Sequence, residues 1–272
     1  MKLGINYNVS EADYHAFPAV SKSTLFAFAP NPRRWHLTKD LPRNPTDSMA
    51  WGSLVDCLLL QPAELEKSFA VSPYQSYRTK EAQAWRDSQT LPIIDDKMIE
   101  EARQAVDAAR QNRFVAEIMD GAELQVSLLL NVDNPDYGPA FPAKCRIDIV
   151  PAKDGPHGDS LVDLKTIDSL SVMSQRINDF CYHGQAAFYL DSFNTVTGEE
   201  RHRWKFIFIE RKFPFEVAVV ELDQEDIADG RDWYCDALKK WAECQQTNHY
   251  PSPWEDEIKI ISRPFWAKKQ SN

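Results

Sequence analysis

The sequence has no apolar run of 18 or more residues, so no segment reads as a membrane-spanning helix. Its start, MKLGINYNVSEADYHAF, lacks the charged-then-apolar layout of a secretory signal, and a cytoplasmic protein with no membrane partner is expected. Cysteine is sparse. The five residues Cys57, Cys145, Cys181, Cys235 and Cys244 are odd in number and contain no CxxC pair. That argues against a disulfide framework and against zinc held by Cys/His sets, and leaves reduced core thiols as the plain reading. Glycine is also scarce, nine residues against 17 prolines, and no internal repeat is visible, so low complexity is excluded. Positive charge is in deficit: the net charge of −10 does not suit a protein that coats nucleic acid. It leaves room for an enzyme with a local basic groove around an acidic metal site.

At 272 residues and 43% hydrophobic, the chain can bury a full core. The pattern predicts one domain over residues 1–250, mainly helical over 1–120 and a sheet with helices over 121–250, followed by a tail over 251–272. SKSTLFAFAP reads as a short helix capped by Ser21 or Ser23 and stopped by Pro30 and Pro32. A buried helix is predicted from about Ser48 to Leu60, broken at Pro62. Residues 63–92 read as irregular, with YRTKEAQAWRD passing from loop to helix. Met98, Ala102, Val106 and Ala109 recur at helical spacing. From Gly121 the texture turns to strand: AELQVSLLLNV, AKCRIDIVP and SLVDLKTI, then one helix over SQRINDFCYHGQAAFYLDSF, two further strands and a C-terminal helix. The tail aromatics Trp254, Phe265 and Trp266 are expected to dock on the body or on a neighbouring subunit.

Strict alternation puts Cys145, Ile147 and Ile149 on one face of the CRIDIV strand and Arg146, Asp148 and Val150 on the other. In LVDLKT it puts Asp163 and Lys165 together. If the two strands pair, Asp148, Asp163 and Lys165 converge on one patch. Two close carboxylates repel unless a cation lies between them, and Mg²⁺, a hard ion with oxygen ligands, meets that need. A salt bridge on a solvated hairpin, Lys165 neutralising Asp163, is the alternative. Two further features accompany the hairpin. Gln185 and Tyr189 stand i, i+4 on the following helix, and Asp56 interrupts the apolar helix WGSLVDCLLL one turn after Gly52.

In this order, Ser21–Trp35, Gly52–Asp56, Arg78–Lys80, Cys145–Asp148, Asp163–Lys165 and Gln185–Tyr189 resemble the motifs of the PD-(D/E)xK nuclease superfamily. The resemblance is to its RecB-like group and, within that, to exonuclease VIII (the RecE C-terminal domain), and it spans residues 14–191. It implies an α/β fold, a restriction-endonuclease-like PD-(D/E)xK core with a central mixed β-sheet flanked by helices and a helical N-terminal elaboration. It implies Asp56, Asp148, Asp163 and the backbone carbonyl of Leu164 as ligands of Mg²⁺ or Mn²⁺, with Lys165 orienting the attacking water. Gln185 would hold Lys165, the phosphate or a water of the ion, and Tyr189 would pack or hydrogen-bond one turn on. Arg33, Arg34, Arg78 and Lys80 are the residues expected nearest DNA. Arg146 would contact a phosphate or serve as a salt-bridge partner, and Glu123 would support the site from behind.

The activity implied is that of an exonuclease acting on the ends of double-stranded DNA, 5′→3′, in recombination by single-strand annealing. A ring-like homo-oligomer, a RecT-type annealing partner and a phage or prophage origin are implied with it. The chain departs from the pattern at Asp56, where relatives carry histidine, and at Asp163, where Glu is common. Asn31-Pro32 stands where iron–sulfur relatives have Cys-Pro, and only Cys235 and Cys244 lie late, so no iron–sulfur cluster is expected. An endonuclease of the same superfamily, or a catalytically silent DNA-binding or regulatory protein permitted by Asp56, are the alternative readings.

Overall fold

Short polar side chains start several of the helices, Ser21 among them. The structure is a computed structural model and describes residues 1–41 and 46–263. The chain begins with β1 (Gly4–Asn6), α1 (Glu11–Ala16), α2 (Lys22–Phe28) and α3 (Pro32–Thr38). Next come α4 (Asp47–Leu60), α5 (Leu65–Ser68), β2 (Ala70–Val71), α6 (Lys80–Ser88) and β3 (Ile93–Ile94). Helices α7 (Asp96–Gln111) and α8 (Arg113–Met119) precede β4 (Glu123–Val132), β5 (Phe141–Val150) and β6 (Ser160–Ile167). Then follow α9 (Met173–Asp179), α10 (Tyr182–Thr197), β7 (Arg203–Glu210), β8 (Val217–Glu221) and α11 (Gln224–Thr247). The side chains of Ser21, Thr46, Asp95 and Asp223 each accept a first-turn N–H, satisfying donors the helix itself cannot.

Among the described residues the main sheet has six strands in the order β1-β4-β5-β6-β7-β8. Only the β6–β7 step is parallel, and α9 and α10 supply the crossover it requires. Helices α2, α10 and α11 cover one face, where Val126, Ile147, Leu161 and Phe206 meet Phe188 and Leu238. Helices α4, α7 and α8 cover the other, where Ile149, Val162 and Ile207 meet Leu54, Val106 and Ile118. The expected α/β architecture, a mixed sheet between helical layers, is present.

Three local expectations are corrected. The alternation along β5 does not run through: Ile147 enters the α10 side and Ile149 the α4 side, so the faces exchange at Asp148. Its neighbour Gln125 on β4 has φ +50°, and Leu124 and Val126 change faces in the same way. Pro32 does not simply stop a helix but opens α3 at the position where its missing N–H is harmless. The helix expected over SQRINDFCYHGQAAFYLDSF is broken by Cys181, a left-handed residue at φ 51° and ψ 49°. The tail meets the body through Glu255, ion-paired with Arg33 at 2.6 Å, and Trp254 is 64% exposed. Phe265 and Trp266 lie outside the described residues.

Candidate active site

Strands β5 and β6 share only the register pair Ile149–Val162 among the described residues. Beyond it, Oδ2 of Asp148 accepts the N–H of Leu164 at 2.9 Å, taking the role a backbone carbonyl has in a closed ladder. The sheet therefore opens where the two motif strands meet, and side chains rather than backbone fill the gap.

Asp56 comes to this opening from α4. Gly52, one turn earlier, lies where a Cβ would stand 2.9 Å from Thr166 Oγ1, so the missing side chain lets α4 approach β6 closely. Between Asp56 and Asp148 sits Gln125, whose Nε2 donates to Asp56 Oδ2 at 3.2 Å and to Asp148 Oδ1 at 3.4 Å. The left-handed backbone of Gln125 sets its amide at this point. Asp163 is buried on the α10 side, where Gln185 Nε2 donates to its Oδ1 at 2.5 Å. Its other oxygen is ion-paired with Lys165 Nζ. The Lys165 ammonium also lies over the Tyr182 ring, 4.8 Å from its centroid.

Burial and neighbouring negative charge raise the proton affinity of Asp56 and Asp148. Burial first, and the charge of Asp163 second, push Asp56 up to about 7. Asp148 is raised well above the ordinary carboxylate range by burial, then by Asp163 and Asp56, against the pull of Lys165 and the Leu164 N–H. Burial opposes the charge of Lys165, but Asp163, then Tyr182 and Asp148, outweigh it and hold its pKa above the usual lysine value. Among the described residues no three His, Cys, Asp or Glu side chains form a ready-made cage for an ion. Gln125 and Lys165 instead take up the carboxylates' charge. The donor chemistry is nevertheless that of a hard divalent cation: oxygen only, three negative charges, and one local ammonium to offset them. The group fits Mg²⁺ or Mn²⁺, with Asp56, Asp148 and Asp163 as the residues that would hold it.

These residues line a cleft of about 1470 Å³, together with Tyr189 and the backbone stretch 163–168. Tyr189 packs edge-on against Trp204 at 5.8 Å. One wall is residues 8–15, held down by two cations of β5. Lys144 Nζ donates to the carbonyls of Tyr14 (2.5 Å) and Phe17 (2.7 Å), and Arg146 Nη2 donates to that of Val9 (2.9 Å). The Arg146 guanidinium also lies 4.4 Å from the Tyr14 centroid. Its engagement is thus with this wall. Glu123 does not line the cleft; it accepts from Tyr7 at the exposed start of β4, and Gln125 is the β4 residue that reaches the carboxylates. Arg33 pairs with Glu255 at 2.6 Å, and Arg34, Arg78 and Lys80 are exposed beyond the cleft's lining. Gln125, Tyr182 and the N-terminal wall escape a reading of the sequence. Gln125 sits in an apolar strand with no local sign of its left-handed backbone, and the wall reaches β5 across more than a hundred residues.

Residues 19–258 match the family described as a PDDEXK-like domain of unknown function (DUF3799), and the chain belongs to it. No curated protein matches the chain. Among solved structures, the chain is similar to a candidate exonuclease from Eubacterium rectale at 12% identity. The match covers 95% of this chain and 96% of that one with a TM-score of 0.58, a likeness of fold. A phage-related exonuclease from Haemophilus somnus aligns at 12% identity over 86% of this chain and 98% of that one, at a TM-score of 0.36 too low to bear on the fold. Among the described residues no helix is long and apolar enough to cross a membrane.

Proposed function

We propose that this protein is a divalent-metal-dependent deoxyribonuclease that hydrolyses phosphodiester bonds from the ends of duplex DNA. The observation that carries the reading is the meeting of Asp56, Asp148 and Asp163 with Lys165 and Gln185 in one open cleft. When bound, the ion would supply Lewis-acid stabilisation of charge on the phosphate. Asp56, Asp148 and Asp163, with the Leu164 carbonyl, would hold it. Gln125 orients the first two carboxylates, and Gln185 orients the third. Lys165, kept charged by Asp163 and steadied by the Tyr182 ring, donates a hydrogen bond to the attacking water or to a phosphate oxygen. Arg34, Arg78 and Lys80 are assigned to phosphates flanking the cleft, offsetting the protein's net negative charge. Arg33 and Arg146 join them only if they leave Glu255 and the N-terminal wall.

The 5′→3′ direction, a ring-like oligomer, and service to a RecT-type annealing protein in phage or prophage recombination are parts of the same proposal. They follow from the motif resemblance alone. The test is incubation of the purified chain with linear duplex and with closed circular DNA in Mg²⁺. End-dependent loss of the linear form, with the circle intact, is expected. Cutting of the circle would make the protein an endonuclease, and no cleavage of either in Mg²⁺ or Mn²⁺ would make it a silent scaffold.

A further inference from the structure

We propose that the aromatic step Phe180–Tyr182 is a nucleobase-stacking site that receives an unpaired base next to the bond being cut. This rests on the nuclease reading above. Side chains two residues apart on one helix would point to opposite sides. Here Cys181 interrupts the helix in the left-handed region, a conformation that residues with a Cβ disfavour and that functional sites retain. The result is that the Phe180 and Tyr182 rings lie nearly parallel, 23° apart in plane with centroids separated by 5.7 Å.

The step is braced from behind. Lys22, itself only 8% exposed, donates from Nζ to the Phe180 carbonyl at 2.6 Å and lies between the rings of Phe26 (4.7 Å) and Tyr182 (5.4 Å). In front, Tyr182 carries the Lys165 ammonium on its face. A line of groups therefore runs outward from the reacting end of the cleft, Lys165 to Tyr182 to Phe180. Phe180 ends it, 41% exposed at the lining of the cleft. The Arg176 guanidinium lies 5.7 Å from its centroid and lines the same cleft.

A flat π-faced group joined to a phosphate matches this arrangement. The base lies against Phe180, Arg176 closes over it or meets the next phosphate, and Lys165 faces the bond to be cut. Stacking of this kind is indifferent to base identity because every base offers a π-face. A base inside a duplex has both faces covered, so occupancy of this site requires the bound end to be opened by at least one nucleotide.

The experiment uses the full chain and oligonucleotides in which an abasic tetrahydrofuran unit replaces each of the terminal nucleotides in turn. For the wild type, one position within a nucleotide or so of the cut should raise KM roughly fivefold or more when abasic. Phe180→Ala should raise KM on intact DNA by a similar factor and show no further loss on the abasic substrate, while Phe180→Trp restores the discrimination. Equal cleavage of intact and abasic DNA by the wild type would overturn the stacking site and leave the nuclease reading standing. If no DNA is cut at all, the nuclease reading fails, and a 2-aminopurine oligonucleotide in EDTA decides the site by itself. Quenching by the wild type that Phe180→Ala abolishes supports it, and equal signals from both proteins contradict it.

Discussion

The Asp148 carboxylate occupies the ladder position between β5 and β6, accepting the Leu164 N–H at 2.9 Å, while its other oxygen shares the Gln125 amide with Asp56. One side chain thus closes the sheet and faces the cleft. Asp148→Asn keeps an acceptor for Leu164 but removes a negative charge from between two others. In EDTA the variant should gain stability relative to wild type as pH rises, since burial and the neighbouring carboxylates disfavour ionised Asp148. Its nuclease activity should fall roughly 10²–10³-fold, and added Mg²⁺ should no longer raise its melting temperature.

The metal-free protein should lose stability as pH rises. Asp56, at about 7, and Asp148, also raised, bind protons more tightly folded than unfolded. Between the ordinary carboxylate range and about 7 the native state holds more protons, so the unfolding free energy falls with pH there. Thermal melts from pH 5 to 8 in EDTA should show that decline, and saturating Mg²⁺ should reverse it most at the alkaline end. A melting temperature that rises over this interval without metal would contradict the electrostatic account.

Gln125→Leu removes the amide shared by Asp56 and Asp148 without touching a carboxylate. Groups that orient metal-binding residues are typically worth ten- to hundredfold in affinity or activity. The variant should bind Mn²⁺ more weakly by about that factor in calorimetry, with Lys165 and Gln185 still in place. Unchanged affinity would assign Gln125 to packing alone.

Arg78 and Lys80 stand exposed at the start of α6. If each neutralises one phosphate, replacing both by Ala should weaken DNA binding for every sequence. The slope of log K against log salt should then fall by about 2. Filter binding or anisotropy across a salt series, in EDTA, measures it.

Much of this was legible because it is local. Asp148, Asp163 and Lys165 interrupt strands with strong apolar alternation, and Gln185 and Tyr189 follow at helical spacing, so short-range periodicity sufficed to find them. The same rule failed where the backbone leaves the regular regions. Left-handed Gln125 and Cys181 carry no mark in composition, so the exchange of faces along β4 and β5 and the Phe180–Tyr182 step stayed hidden. For Arg146 the sequence leaves phosphate contact and a salt bridge open, because the carbonyls of Val9 and Ser10 that it meets lie more than a hundred residues away. Asp56 was visible as an intruder in an apolar helix, but its reach to Gln125 depends on how closely Gly52 lets α4 approach β6.

The central claim is that Asp56, Asp148 and Asp163 hold one divalent cation, and a crystal soaked in Mn²⁺ tests it most directly. The account predicts an anomalous peak within coordinating distance of all three carboxylates, with the Gln125 amide still donating to Asp56 and Asp148. A peak on Asp148 and Asp163 that lies out of reach of Asp56 would contradict the assignment of Asp56. The absence of any peak at the opening between β5 and β6 would contradict the site as a whole.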